Sequence, residues 1–525
     1  MVNADKLKHI VIVGGGSAGW MSALILADTL RTSTSLTGVN ITLLESPQVG
    51  IIGVGEGSTF ALKRFFDSLG IAEAEWMPAC NATYKCGITF DGWSTKPGFT
   101  SYFHQFSTMV DQVTQPVFID NVHARLRGAN TPVRPNDYFL SHALVEAKLA
   151  PVIPENFPFS TVYGYHFDAT LLAGFLHKKA LERGVRHHAC HVAHAELDAA
   201  GDIAAVHTVE GERIAADLFI DCSGFASLLI DGALHTPFHS YGELLRNDAA
   251  VAMPTMQDGP IAPHTVSAAL KYGWAWQIPL TNRYGNGYVY STHYCSAIDA
   301  EHELRERLGL LDADVPVRHL KMKVGRVDQH WNRNCVAVGL SQGFLEPLEA
   351  TALYLTQMTI AIFAIFLDRG DYGDAARKAY NDEINGFFDH HADYIVAHYK
   401  TNTRTDTAYW RDCAGGLDKI SNSLGGIFEA WMSGKDLGAE ITRQDIERYY
   451  PIGSWYSLLA GMGLFPPTAQ PVQDRHVQQQ AEMKEFLRRC ALNFRDHRQV
   501  VDEQARAAAP IPVHRPGVLN QVRPT

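Results

Sequence analysis

The sequence predicts an α/β fold whose first folded unit is strand, loop, helix, strand. Three observations predict it. An apolar run from Ile10 to Val13 suits a buried parallel strand, and Trp20–Leu30 behind it has helical character. Between them Gly14, Gly16 and Gly19 satisfy G-x-G-x-x-G within V-I-V-G-G-G-S-A-G. A second strand, Asn40–Leu44, then delivers an acid, Glu45. Each part has its own physical use. One glycine makes the tight turn, one lets backbone approach a pyrophosphate, and one lets helix pack on strand. The N-terminus of the helix supplies free N–H groups and a positive dipole end that attract phosphate. Glu45 can take both hydroxyls of an adenosine ribose. A tight structural turn would explain the glycines alone; the order of strand, loop, helix, strand and acid points to a dinucleotide.

At 525 residues the chain can hold two or three domains, and 46% hydrophobic with 19% charged residues describes an ordinary globular protein. A net charge of −11 without a long basic run argues against nucleic acid or an anionic membrane as partner. The eight cysteines are scattered, with no C-x-x-C, so buried reduced thiols in a cytoplasmic protein are expected. The apolar stretch after Lys8 is too short for a secretion signal. Thr351–Leu367 is apolar but interrupted by Thr356, Gln357 and Thr359, and reads as a core helix rather than a membrane span.

Along the chain, Gly53–Ser58 forms a second glycine-rich turn, with Gly55 inside it, before an amphipathic helix over Thr59–Leu69. Tyr84–Phe90 alternates as one strand carrying Lys85. Residues 94–160 read as loops and short helices around an aromatic knot, Tyr102–Phe106. A helix over Asp168–Arg183 precedes strands through 186–221, more sheet over 250–295, and a buried strand at Asn334–Gly339. Helical periodicity dominates from 361, and Ala507–Thr525, with its four prolines, reads as an extended or disordered tail. The absence of a clean linker gives two interleaved parts: a box with a substrate-binding sheet at 1–360 and a helical region at 361–525. The histidines of His187–His194 scatter to both faces of a strand, so no metal is expected. Asp389, His390, His391 and His398 read as structural.

Only one G-x-G-x-x-G is present, so no second fold for a nicotinamide cofactor is visible. Trp274 and Trp276, in G-W-A-W-Q-I-P, fall on one strand face, either as core aromatics or as a wall for a flat cofactor. Gly339 and the loop into Pro347 bring a helix N-terminus to where a ring system could rest. The set G-G-G-S-A-G-W, G-V-G-E, W-A-W-Q-I-P and G-F-L-E-P-L-E-A-T resembles the flavin-dependent tryptophan halogenase family, and the likeness runs through most of residues 8–465.

The resemblance implies a FAD-binding, flavin-monooxygenase-like fold: a three-layer Rossmann-type box with a β-sheet substrate region and a mostly helical C-terminal part. It implies a two-component enzyme, monomer or homodimer, in which a separate flavin reductase supplies reduced FAD. Molecular oxygen and a halide ion, bromide or chloride, then yield hypohalous acid, which a lysine directs onto an electron-rich, indole-type ring. Gly14, Gly16, Ser17, Ala18, Gly19, Glu45, Gly55, Trp274, Trp276, Gly339 and Pro347 match cofactor positions. Lys85, in T-Y-K-C-G-I-T-F, matches the family lysine, and Glu349, in P-L-E-A-T, the family glutamate. The N–H groups of Thr351 and Ala352 match the halide site. There Ala350-Thr351-Ala352 replaces a common Ser-Thr-Gly, and Ala352 reaches positive φ less cheaply than glycine, which bears on halide preference. His104 and Phe106 match positions that pack on the substrate indole, with Trp455 near the same pocket.

The residues agree with those roles. A lysine in an apolar strand needs a partner or a lowered pKa; as ammonium it can polarise hypohalous acid, and as amine it can form a haloamine. A glutamate can stabilise a cationic ring intermediate and remove its proton. Taken singly, Lys85 could snorkel to the surface and Glu349 could simply favour a helix N-terminus. Leu437–Ser454 is short where the family has a lid, with only Tyr449-Tyr450 as an echo. An open pocket follows, suited to indole or a larger indole compound rather than free tryptophan. The alternatives are an aromatic hydroxylase, which would not need halide, and a catalytically silent flavin-binding protein.

Overall fold

The computed structural model describes residues 7–50, 53, 55–471 and 473–508. Its first sheet has six strands. Cys335–Ala337, Leu218–Asp221, His9–Val13, Asn40–Glu45 and Arg186–Ala189 run parallel in that order, and Trp331–Asn332 folds back on the edge. Alternation along these strands makes three layers. Ile10, Ile12, Ile41 and Leu43 point to a helix layer, where Ser17–Thr32 packs between Ala169–Glu182 and Ala352–Arg369. Val11, Val13, Leu44 and Phe219 point the other way, onto the three-stranded meander formed by Val192–Leu197, Ile203–Thr208 and Arg213–Ala215. The expected Rossmann-type box is therefore present.

A seven-stranded mixed sheet adjoins the box. Its order is Arg318–Lys321, Ala249–Met256, Arg283–Tyr290, Gly273–Pro279, Thr265–Leu270, Gly87–Asp91, Ser101–Gln105. A small sheet lies beside it, with Gly164–Phe167 between Glu56–Gly57 and Thr83–Lys85. Helices Asp374–Thr401, Ile452–Gly461, Asp474–Ala491 and His497–Ala508 supply most of the remainder.

The segment expected as one strand over Tyr84–Phe90 is two. Thr83–Lys85 belongs to the small sheet and Gly87–Asp91 to the large one, and between them the Cys86 N–H donates to Pro263 O at 2.7 Å. The chain stays extended through the switch, so alternation survives and conceals the change of partner. The loops and short helices expected over 94–160 include one longer helix of 16 residues, Asp111–Leu126, whose Pro116 and polar content mask its periodicity. The boundary expected at 360 falls inside Ala352–Arg369, a helix packed on the box. Among the described residues this is the one helix long and apolar enough to cross a membrane, and Leu355, Ile360, Phe363 and Leu367 on it are buried. Of the expected tail, Ala507 and Ala508 close the helix His497–Ala508, and residues 509–525 lie outside the described residues. All eight cysteines are buried and free.

Candidate active site

The nucleotide end is built by close backbone approach. Gly14 donates its N–H to Leu44 O at 2.8 Å, and a Cβ on Gly14, at φ +118°, would overlap the Cys222 carbonyl. A Cβ on Gly19 would overlap Gly14 O, so helix and strand meet at their backbones. No side chain caps the helix Ser17–Thr32, which leaves its first N–H groups for an anion. The Glu45 carboxylate folds over Gly15 and lies 3.1 Å from His187 Nε2. Gly339 stands against Ala18: a Cβ there would come within 2.6 Å of the alanine methyl. Gly19→Ala is expected to distort this turn and lower the denaturant midpoint of unfolding, because its methyl has nowhere to go but into the turn.

Trp274 and Trp276 share a strand face, ring centroids 6.3 Å apart. Trp276 lies over Gly287, where no side chain intervenes. Trp274 is 1% exposed and donates its indole N–H to Glu346 Oε2 at 3.2 Å. Glu346 also accepts from Asn247 at 2.9 Å and from Tyr399 at 2.5 Å. This buried carboxylate anchors the first tryptophan of W-A-W-Q-I-P, a link that spacing cannot reveal.

The register of the small sheet places the lysine. Lys85 and Thr83 share a face, and Thr83, His166 and Gly57 are cross-strand neighbours on it. Lys85 is 0% exposed, its Nζ has no hydrogen-bond partner among the described residues, and it sits 5.5 Å from the Phe106 ring centroid. A Cβ on Gly57 would stand 3.3 Å from Lys85 Nζ, 3.5 Å from Ala350 Cβ and 3.6 Å from Thr265 Oγ1. Burial pulls the ammonium down to about 8, and the charge of Glu349 offsets part of that pull.

Glu349 closes the short turn Pro347–Glu349 and is 5% exposed. Its oxygens lie 3.0 and 3.2 Å from His104 Nδ1, and Oε1 lies 3.2 Å from His398 Nε2. Burial would raise its pKa, but His104 and then His398 outweigh it and hold the carboxyl down at about 2. His398 Nδ1 faces the Tyr394 carbonyl at 3.0 Å and must carry a hydrogen. Tyr394 lies edge-on to Trp455 at 4.8 Å and stacks on Tyr450 at 3.6 Å. The short Leu437–Ser454 segment lays the Tyr450 ring against this cluster. Phe106 is half-buried while His104 and Trp455 are buried.

The chain is similar to known proteins along most of its length. The sequence matches the tryptophan halogenase family model over residues 9–478. The chain belongs to the tryptophan halogenase family. It is 38% identical over 507 residues to tryptophan 6-halogenase SttH of Streptomyces toxytricini, covering 90% of this chain and 92% of that protein. To tryptophan 7-halogenase RebH of Lentzea aerocolonigenes it is 34% identical over 496 residues, 89% and 92% of the two chains. The crystal structure of SttH superposes with a TM-score of 0.80 at 33% identity, covering 96% of this chain and all of that one. Xcc4156, a flavin-dependent halogenase from Xanthomonas campestris, gives 0.81 at 30%, covering 96% and 99%.

This halogenase is thus a flavin-dependent enzyme that uses reduced FAD, oxygen and a halide, with a separate flavin reductase and an aromatic substrate. The uncapped helix, the glycine cradle and the accessible Glu45 fit FAD. Sequence reading missed His187, which fixes Glu45, and took His398 for structural although it faces Glu349. A helical histidine at i+4 from Tyr394 carries no mark of its partner on another element. The other histidines of 187–194 are spent locally: His188 on Glu212, His191 on Ser46, and His194 stacked on His207. Among the described residues no group of three or more His, Cys, Asp or Glu could hold a metal.

The backbone strain expected at Ala352 lies instead at Ala350, which takes φ +56° in the left-handed region, while Ala352 begins the helix Ala352–Arg369. Left-handed backbone costs a non-glycine residue about 1–2 kcal/mol. Part of that gain would be returned by the freer unfolded chain of a glycine. Ala350→Gly is therefore expected to stabilise the halogenase by up to about 1 kcal/mol in denaturant unfolding.

Proposed function

We propose that this halogenase brominates or chlorinates an indole-type ring with hypohalous acid confined between Lys85 and Glu349. The observation that carries the reading is the wholly buried Lys85 ammonium, without an internal acceptor, beside the turn that ends in Glu349. When bound, reduced FAD supplies the oxygen activation that oxidises the halide. The glycine loop and Glu45 would hold its phosphates and ribose. Trp274 and Trp276, with Gly55, Gly339 and Pro347, would wall its ring system. The N–H groups of Thr351 and Ala352, at the uncapped start of an 18-residue helix, offer the halide positive charge.

Lys85 donates to the oxygen of hypohalous acid and withdraws electrons from the halogen. Its ammonium form does this, with Glu349 as counter-charge. His104 and Trp455 present ring surfaces to the arene, and Phe106 forms the half-buried side of the pocket. Glu349 stabilises the cationic ring and takes its proton, and His104 and His398 keep it ionised until then. Free tryptophan needs paired polar groups for its ammonium and carboxylate, and the short 437–454 segment offers tyrosine rings instead. Indole or a larger indole compound is the better substrate.

Mass spectrometry of indole, tryptophan and larger indoles, incubated with a flavin reductase and either halide, tests this. Halogenated indole that depends on the halide is expected. Oxygenated product formed equally without halide would assign a hydroxylase, and no product from any ring would sink the reading.

A further inference from the structure

His166 lies in the central strand of the small sheet, between Thr83 and Gly57 in register, and is wholly buried. The chemistry above does not use it. Its hydrogen bonds are nevertheless fixed in direction by one backbone carbonyl. Thr83 Oγ1 lies 2.6 Å from Pro279 O, which can only accept, so the Thr83 proton is spent there. Nδ1 of His166, 3.2 Å from Thr83 Oγ1, must therefore be the donor. Burial first, and the charge of Lys85 next, hold the imidazole neutral. Nε2 then carries a lone pair and accepts from Thr265 Oγ1 at 3.0 Å. The Thr265 proton is spent in turn, and its oxygen keeps only acceptor capacity. That oxygen and Lys85 Nζ converge on Gly57: a Cβ there would stand 3.6 Å from the one and 3.3 Å from the other. An oriented acceptor and a donor without a hydrogen-bond partner thus face the same glycine.

We infer that Thr265 is a further residue of the halogenation site: it accepts the O–H of hypohalous acid while Lys85 donates to the same oxygen, and His166 is its positioning residue. The inference rests on the lysine-directed reading above. A site with one acceptor and one donor selects the neutral acid over hypohalite, which has no proton to give. With the oxygen held twice, the halogen is the end left to face the ring. The oxygen–halogen bond breaks with its electron pair kept by oxygen, and the carbon–halogen bond forms. The released hydroxide takes a proton from Lys85 and leaves as water. The ring proton passes to Glu349 and from there restores the ammonium.

Thr265→Val removes the acceptor at nearly constant volume, and Thr265→Ser keeps it. Each variant of the full chain is assayed with flavin reductase, bromide and indole. Brominated indole and taurine-trapped hypobromous acid are measured per FAD oxidised. In Thr265→Val, brominated indole is expected to fall by about 10-fold, the worth of one hydrogen bond to the reacting species, while trapped acid rises. Thr265→Ser should stay close to the parent, and His166→Leu should release acid as Thr265→Val does. Parent-like bromination in Thr265→Val overturns the inference, as does equal loss in Thr265→Val and Thr265→Ser with no rise in trapped acid. Lys85→Ala run alongside separates the two levels: if it still brominates indole, the lysine reading itself has failed.

Discussion

Replacing Lys85 by alanine is expected to lower ring halogenation by about 10²–10⁴-fold while FAD oxidation continues at the parent rate. The nucleotide end does not involve this side chain, so the flavin should still turn over and the oxidised halogen should escape to solvent traps. Lys85→Met carries a second expectation with the opposite sign. The Lys85 pKa falls from 10.5 to about 8 in the folded protein, so burying the ammonium costs on the order of 3 kcal/mol. The folded value lies below the unfolded one. The cost is therefore fully present below about 8 and fades as pH rises to 10.5. Methionine has similar bulk and no charge, so Lys85→Met should unfold at a higher denaturant midpoint than the parent at pH 7. The gap should close by pH 10.5, since only the parent gains stability across that window. Parent activity should fall as pH rises through about 8, because the ammonium is the donor. Activity that rises through that pH would assign the work to the neutral amine and a haloamine route. A site that costs stability and is required for turnover is the expected signature of function, since no structural role would keep a buried ammonium without a hydrogen-bond acceptor there.

The parts of this halogenase that follow local rules are those the sequence displays. The glycine loop and Glu45 are close in the chain, and each needs a residue type that few others replace, so fold and nucleotide end were legible. Lys85 and Glu349 were singled out by the family resemblance, since a lone charge in either place could equally snorkel or sit at a helix start. What could not be read is pairing across distant elements. His398 and Tyr394 lie on a 28-residue helix whose pattern reports only a buried face. Glu346 binds Trp274, Asn247 and Tyr399 from three other segments. The strain at Ala350 rather than Ala352 depends on where the helix begins, and a boundary is the least legible feature of a helix. The split at Cys86 was hidden because an extended chain keeps its alternation when it changes sheets.

Glu349→Gln is expected to lower the rate of halogenation by about 10²–10⁴-fold, because the amide cannot take a proton from the ring. The shape of the pH profile separates this from a packing defect. In the parent, the charge of Glu349 raises the Lys85 pKa against the pull of burial. Removing that charge leaves burial unopposed, so the alkaline fall in the residual activity should move to a pH lower than the parent's value of about 8. The acid side responds separately. Glu349 is depressed from 4.5 to about 2, so its contribution to stability is present above 4.5 and is lost as pH falls through about 2. The glutamine variant should lack that loss. An unmoved alkaline limb would mean that Glu349 is not electrostatically coupled to Lys85, and the proton route from ring to carboxylate would fall with it.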